Sequence, residues 1–584
     1  MSGCVNWVAG LLCAWTVMLG PMGQPVGKRE DKSVVAPQMQ WLREMRMPTP
    51  APAKEFTVEH YVRQSELLSA AEEEFVLKRK QVALESLNSL GIKSTLDSVP
   101  HISLLASGGG QRAAVGLVGS LYQMEKEGVL DTVLYLGGLS GSAWSMSSLY
   151  SDPKWSHNLE GAVSRLSGPA VRVDQALAWL NERSKEEHFS LTDVWGLLTS
   201  AGIMKRLDVR HLSEDGVNTS NPYPIYSALN KNCLQHGPIQ TKWFEMAPHE
   251  VGFTDLGLFI NTSHLGSKIH EAHPEDEGPE MDMTKLLGIM GSSVADEKSV
   301  TDYMPDWLKG LLGTAATDKN KSLDVVSPWT EVPQQANSYV DILDRIMCGN
   351  CSLLKLSELT RNGTEVSTIL AELENLQKRL TVSWLLKKVF PLIWKWEWGT
   401  TENFLFQYTG AVLPSCIRYM KHLQLIDAGV MLNTPYPPFL GEKRDVDLLI
   451  SLDYGAGKTF QTLTLARDYA AAVNKPFPEI DEKILEERDW PKDCYVFEGK
   501  EKEPTIVYMP LFNRNNCKDA MEIKAKMEEF SSFQLPFSQE KIEFVLEKAK
   551  ANMMNNKETL LREIYKAALR RLNKSYRSSA ESDI

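Results

Sequence analysis

Ser140, within Gly138-Leu139-Ser140-Gly141-Ser142, and the glycines of Ser107-Gly108-Gly109-Gly110-Gln111-Arg112 are residues whose types and spacing suit acyl transfer. A serine at a tight bend presents its hydroxyl outward, and small neighbours let the backbone turn without a Cβ clash. Position +2 here is Ser142, not glycine. Backbone N–H groups of a glycine turn that opens a helix can receive the negative charge developing on a carbonyl oxygen. Gly109 and Gly110 are the candidates for that oxyanion hole. Singly, each motif is better explained as a structural glycine turn, but two of them, each between a strand and a helix, reverse that preference.

A serine hydroxyl is a poor nucleophile until a base accepts its proton. The usual base is histidine, yet the last of the eleven histidines is His422. That does not fit the order Ser, then Asp or Glu, then a late His of an α/β-hydrolase. A carboxylate in a water-poor site can replace the imidazole. Asp427 follows the apolar stretch 423–426 and precedes Ala428-Gly429, so it is expected at a strand end entering a turn. The same position suits a plain turn-initiating aspartate.

These side chains require an α/β scaffold. Apolar runs at 102–106, 133–136, 422–426 and 446–452 read as buried strands separated by helical segments. After the first, Ala113, Leu117, Leu121 and Met124 share a helical face; after the second, a helix is expected over 141–150. A central, mostly parallel sheet flanked by helices follows.

The residues now gathered resemble the group IV cytosolic phospholipase A2 family. The resemblance is carried by residues 107–112 (SGGGQR), 138–142 (GLSGS), Asp427-Ala428-Gly429 and Asn433-Thr434-Pro435-Tyr436-Pro437. Ser190-Leu191-Thr192-Asp193 and residues 395–401 (KWEWGTT) also fit, and these two resemble the gamma form most. The resemblance implies a patatin-like catalytic domain with a cap insertion. It implies a Ser/Asp dyad with Ser140 as nucleophile and Asp427 as base, Gly109 and Gly110 as oxyanion hole, and Arg112 holding the substrate phosphate. Phospholipase A2, lysophospholipase and transacylase activities on phospholipid and lysophospholipid are implied, with no cofactor and no metal. Three departures stand out. Gln111 precedes the arginine where other members often carry an aromatic or aliphatic residue. Too little chain precedes the first motif for a calcium-binding C2 module, so calcium-triggered docking is not expected. The chain ends Ala580-Glu581-Ser582-Asp583-Ile584, without a prenylation cysteine.

A net charge of −12 over 584 residues disfavours nucleic acid as a partner and makes any membrane contact local and apolar. Residues 1–20 are apolar and uncharged, short for a membrane span and lacking a basic start, so a leader and an interfacial anchor both fit. The family resemblance favours the cytoplasmic face of intracellular membranes such as the endoplasmic reticulum. Sequons at Asn218, Asn261, Asn320, Asn350, Asn362 and Asn573 would favour secretion if that segment were a signal. Eight scattered cysteines suggest reduced thiols, and Cys348-Gly349-Asn350-Cys351 lacks the second pair a zinc site needs. Cys4 and Cys13 are candidates for palmitoylation.

Residues 21–56 are a proline-rich linker, and 57–530 form the catalytic domain with a cap insertion at about 265–380. Residues 531–584 make a C-terminal amphipathic helix and polar tail, the helix over 539–572 docking on the core or facing a membrane. An opening helix is expected over 64–90, burying Leu67, Ala70, Phe75, Leu77, Val82 and Leu84. Trp384, Trp394, Trp396 and Trp398 with neighbouring lysines suit an interfacial surface or an ordinary core. Residues 453–459 (DYGAGKT) end like a phosphate-binding loop, but Leu452 stands where its first glycine belongs, so a strand-end turn is expected. Three rivals stand beside the lipid hydrolase. They are a histidine-dependent triad esterase, a weakly catalytic membrane scaffold, and a nucleotide-binding protein built on 455–459.

Overall fold

Fourteen strands and thirteen α-helices lie along the described residues. The strands are β1 (Arg63–Gln64), β2 (Ile102–Ala106), β3 (Tyr135–Gly138), β4 (Tyr223–Asn230), β5 (Trp243–Met246), β6 (Glu250–Phe253) and β7 (Leu258–Asn261), then β8 (Lys268–His270), β9 (His273–Asp276), β10 (Thr400–Glu402), β11 (His422–Asp427), β12 (Leu448–Asp453), β13 (Tyr495–Phe497) and β14 (Thr505–Pro510). The helices are α1 (Ala70–Ser89), α2 (Gly110–Lys126), α3 (Ser140–Tyr150), α4 (Leu159–Leu166), α5 (Val173–Arg183), α6 (Leu191–Leu198) and α7 (Lys231–Leu234), then α8 (Met283–Met290), α9 (Ser415–Arg418), α10 (Gln461–Ala472), α11 (Ala520–Glu529), α12 (Gln539–Asn555) and α13 (Lys557–Ser582). The structure, a computed structural model, describes residues 61–169, 171–270, 273–276, 280–293, 392, 397–455, 457–531 and 537–582. All of these but Leu392 belong to one unit.

The main sheet runs β1-β7-β6-β5-β4-β3-β2-β12-β14-β13, with β11 also on β4 and β10 on β11. Only β4, β3, β2, β12 and β14 are parallel to their neighbours along this path; the flanks pair antiparallel. The sheet is therefore mixed, not mostly parallel as expected. The cause is local: β5, β6 and β7 follow one another through short turns, which antiparallel neighbours permit and parallel ones do not. The central strands β2 (ISLLA) and β3 (YLGG) are buried at every residue, as continuous apolar runs covered on both faces must be.

One pairing decides where the chemistry sits. β3 pairs with β4 from Tyr223 to Tyr226 and ends at Gly138. β11 approaches from the opposite direction and pairs with β4 at Ala228, Leu229 and Asn230. Since β5 pairs with Tyr226 to Leu229 and so occupies the other edge, β3 and β11 lie end to end on the same edge of β4. Their carboxyl ends face each other, one leading into Ser140 and the other ending in Asp427.

The helices show which charges the core accepts. α1 starts at Ala70, capped by the Ser69 hydroxyl, and buries Phe75, Val76, Ala83 and Leu87 with Glu72 and Arg79. Leu67, Ala70 and Leu77, expected in the core, are exposed, and Val82 and Leu84 are half-buried. The face rotates because its two charges are compensated. Arg444 pairs with Glu72 at 2.9 Å and with Glu245 at 2.9 Å, and Arg79 Nε donates to Val133 O at 3.0 Å.

The helix expected over 539–572 is two helices, divided at Asn556, where consecutive asparagines are weak helix formers. α12 packs on α2 more extensively than any other two described elements pack, and a Cβ at Gly119 of α2 would stand 2.8 Å from Leu546 O. The docking alternative thus holds for α12.

Cys233 and Cys416 form a disulfide between α7 and α9, with Cα atoms 5.4 Å apart. The expectation of reduced thiols fails here, because residues 183 apart in sequence are brought together by the β4–β11 pairing. Cys494 and Cys517 are free. Trp398 is buried, which favours the core reading for that member of the cluster. Trp384, Trp394 and Trp396, most of the cap insertion, Cys4, Cys13, Cys348, Cys351, the linker and the N-terminal segment lie outside the described residues. No described helix is long and apolar enough to cross a membrane.

Candidate active site

Ser140 follows β3 and starts α3 with φ at 52°, the left-handed region that a β-carbon disfavours. Ser142 explains how the strained bend is held. Its Oγ accepts from Leu139 N at 3.0 Å and lies 2.8 Å from Leu139 O and 2.9 Å from Ala106 O, tying the bend to the end of β2. A glycine at this position would lose those contacts, so the departure at +2 is a fastening.

The glycine turn after β2 is pressed against this bend. A Cβ on Gly141 would sit 1.9 Å from Gly110 O, and one on Gly109 would sit 2.4 Å from Tyr454 O. Gly109 has φ at 150° and Gly110 at 59°, both open to glycine alone at little cost. Gly110 opens α2, so the N–H groups here point out of a helix N-terminus, with the favourable end of its dipole behind them.

Asp427 closes β11 and is sealed from solvent. Its Oδ1 accepts from Gly429 N at 2.8 Å, while Oδ2 has no hydrogen-bond partner among the described residues. Burial pushes the carboxyl up to about 7, opposed by the Gly429 N–H and then by the Ser140 hydroxyl. That hydroxyl is near enough to act on the carboxylate without completing a well-aligned hydrogen bond to Oδ2. Asn433 joins the parts, since Gly108 N donates to Asn433 O at 3.0 Å and Asn433 Nδ2 donates to Gly108 O at 3.2 Å.

Gly109, Gly110, Ser140 and Asp427 line one cavity of about 190 Å³. Trp144, Trp195 and Leu465 supply apolar wall. Lys458 is the only cationic side chain among the described lining residues, and no histidine is among them. The strand-end turn expected over 453–459 is present, but Asp453, Gly455, Gly457 and Lys458 also line this cavity. That contribution was invisible in the sequence, because the turn follows β12 and meets Ser140 only through β2 and β3. The roles of Trp144, Trp195 and Lys458 had no local signal either.

Arg112 is not brought to the cavity. Its side chain is wholly buried, with Nε donating to Tyr454 O at 2.7 Å and Nη1 to Phe530 O at 2.9 Å. Nη2 has no partner among the described residues, and burial lowers the guanidinium to about 10. Its Nε and Nη1 donors face backbone carbonyls behind the glycine turn.

Comparison with known proteins agrees with this architecture. The model of the lysophospholipase catalytic domain family matches residues 102–299. Human GIVD cytosolic phospholipase A2 superposes with a TM-score of 0.60 at 22% identity, covering 87% of this chain and 66% of that one, so the fold is that of such a catalytic domain. Cytosolic phospholipase A2 gamma from Homo sapiens is 31% identical over 86% of this chain and 95% of its own length. The Mus musculus gamma protein is 30% identical over 86% of this chain and 92% of its own. The chain belongs to the cytosolic phospholipase A2 family and is a phospholipase.

Proposed function

We propose that this chain is a calcium-independent phospholipase A2 and lysophospholipase working through an acyl-Ser140 intermediate, with Asp427 as its base. The observation that carries the proposal is the buried Asp427 carboxyl with an unpartnered Oδ2, delivered by β11 head-on to the serine bend. Ser140 Oγ attacks the acyl carbonyl and its proton passes to Asp427. The oxyanion lies against the N–H groups of Gly109 and Gly110. As the tetrahedral species collapses, the bond to the glycerol oxygen breaks and Asp427 returns the proton to that leaving alcohol. Water then attacks the acyl-serine by the same proton route, and a second lipid alcohol in place of water gives transacylation. A base near pH 7 in free form suits this cycle, because it can both take and return a proton.

Lipid phosphate is assigned to Lys458 in the cavity, and Arg112 to holding the Tyr454 and Phe530 carbonyls behind the glycine turn. Two donors of Arg112, Nε and Nη1, are already engaged by those carbonyls. The absence of histidine from the described cavity lining disfavours a triad esterase. Human GIVD cytosolic phospholipase A2 has been solved with methyl gamma-linolenyl fluorophosphonate, a reagent class that traps serine nucleophiles.

The test is fatty-acid release from phosphatidylcholine and lysophosphatidylcholine vesicles in chelator. Release by the wild type that is abolished in Ser140→Ala and Asp427→Asn, both still folded, is expected. Activity surviving Asp427→Asn would return the base to a histidine, and no release from folded wild type would favour the scaffold. For location, the cytoplasmic face of intracellular membranes is proposed, as the relatives' name suggests. The Cys233–Cys416 disulfide favours the second reading, an oxidising compartment. Protection of the protein from added protease in intact microsomes would establish that second reading.

A further inference from the structure

We propose that His188, Glu402 and His422 form a binding site for a divalent transition-metal ion, zinc first, outside the active-site cavity. Glu402 Oε1 lies 3.3 Å from His188 Nε2 and 3.6 Å from His422 Nε2, and one ligand atom from each residue falls within 4.8 Å of the others. Zinc holds imidazole nitrogen and carboxylate oxygen at about 2.0–2.2 Å, so neighbouring ligands of a tetrahedral shell stand about 3.3–3.5 Å apart. Two edges of the triangle are close to that length, and the third, between the two imidazoles, is within 4.8 Å.

The side chains are arranged as ligands are. Both imidazoles bring Nε2 to the same carboxylate oxygen, with ring centroids 5.3 Å apart and planes inclined at 70°. Glu402 is largely buried, whereas His188 and His422 are partly exposed, so an ion has a route in and solvent can complete its shell. Two nitrogen donors and one oxygen suit zinc, cobalt or nickel; calcium and magnesium require oxygen shells. None of the three residues lines the cavity that holds Ser140.

The ion would have a mechanical role set by the topology. Glu402 and His422 face each other across the β10–β11 pair, and His188 precedes the Ser190 cap of α6. Binding would clamp that segment to the hairpin. β11 continues from His422 to Asp427, about 17 Å along the strand at ~3.3 Å per residue. The site thus anchors the far end of the strand that carries Asp427, without touching substrate.

The experiment uses the full chain, stripped with chelator, reconstituted with zinc, dialysed and analysed for bound metal. One zinc per chain is expected in the wild type and none at this site in His188→Ala/His422→Ala, with zinc raising the melting temperature of the wild type alone. Cobalt should give visible d–d bands without thiolate charge transfer, which separates this site from Cys348 and Cys351. If the double variant fails to fold, Glu402→Gln, nearly identical in shape, makes the same comparison. Zinc retained equally by the variants, thiolate charge transfer with cobalt, or no zinc retained by the wild type would each overturn the proposal.

Discussion

Asp427 and Glu245 are both sealed from solvent, yet their carboxyl groups are driven in opposite directions. Burial disfavours the charge of each. Around Glu245, Arg444 at 2.9 Å and Lys443 at 2.8 Å outweigh burial and hold the carboxyl well below the usual range. No described cation pairs with Asp427; the Gly429 N–H and the Ser140 hydroxyl only moderate burial, and the carboxyl rises to about 7. The fold makes one buried carboxylate structural by supplying a guanidinium, and leaves the other able to exchange a proton by withholding one.

Removing the guanidinium should produce the largest effect on stability. Arg444→Met leaves Glu72 without its counterion and Glu245 with Lys443 alone, and a buried pair broken on one side costs about 3–5 kcal/mol. Urea unfolding should report that loss, and a change below about 1 kcal/mol would remove the contrast drawn above.

Asp427→Asn should act in the other direction on stability while stopping catalysis. With a folded value of about 7 against roughly 3.9 unfolded, the folded state keeps a proton that the unfolded state has released between those limits. Wild-type stability therefore falls as pH rises through that window, and the penalty is complete above about 7. The asparagine variant should melt higher than wild type near pH 8, by on the order of a few kcal/mol, and equally near pH 4. In the wild type, kcat/KM should rise with pH through about 7 as the free base appears. Equal melting differences at the two pH values would mean that Asp427 is not held protonated.

The smallest effect separates the two cations near the glycine turn. Lys458→Ala should raise KM for phosphatidylcholine about fivefold, the effect of about 1 kcal/mol at an exposed site, and leave a neutral ester unchanged. Arg112→Met should lower both activities alike, because it removes support for the Tyr454 and Phe530 carbonyls. A selective loss on phospholipid in Arg112→Met would return the phosphate to that residue.

The parts of the site that were legible are those with local grammar. The strand-turn-helix units around Gly109 and Ser140, and the strand ending at Asp427, each depend on a few consecutive residues. Their meeting was not legible, because it depends on β3 and β11 sharing one edge of β4, a pairing between distant segments. The buried face of α1 was misread for a related reason. Glu72 and Arg79 look like solvent-facing residues until Arg444 and the Val133 carbonyl are brought to them. The cluster of His188, Glu402 and His422 likewise has no motif, since one ligand comes from a different segment than the hairpin.

The disulfide between Cys233 and Cys416 closes a covalent ring that contains all of residues 294–391. Ser140 lies on the amino-terminal side of that ring and Asp427 on its carboxy-terminal side. A single peptide-bond cleavage inside the ring divides the polypeptide between its proposed nucleophile and its proposed base, yet sulfur keeps the two pieces in one molecule. The intact bond makes a nicked, two-chain form of the enzyme a covalently complete one, and reduction would leave the same two pieces joined by packing and strand pairing alone.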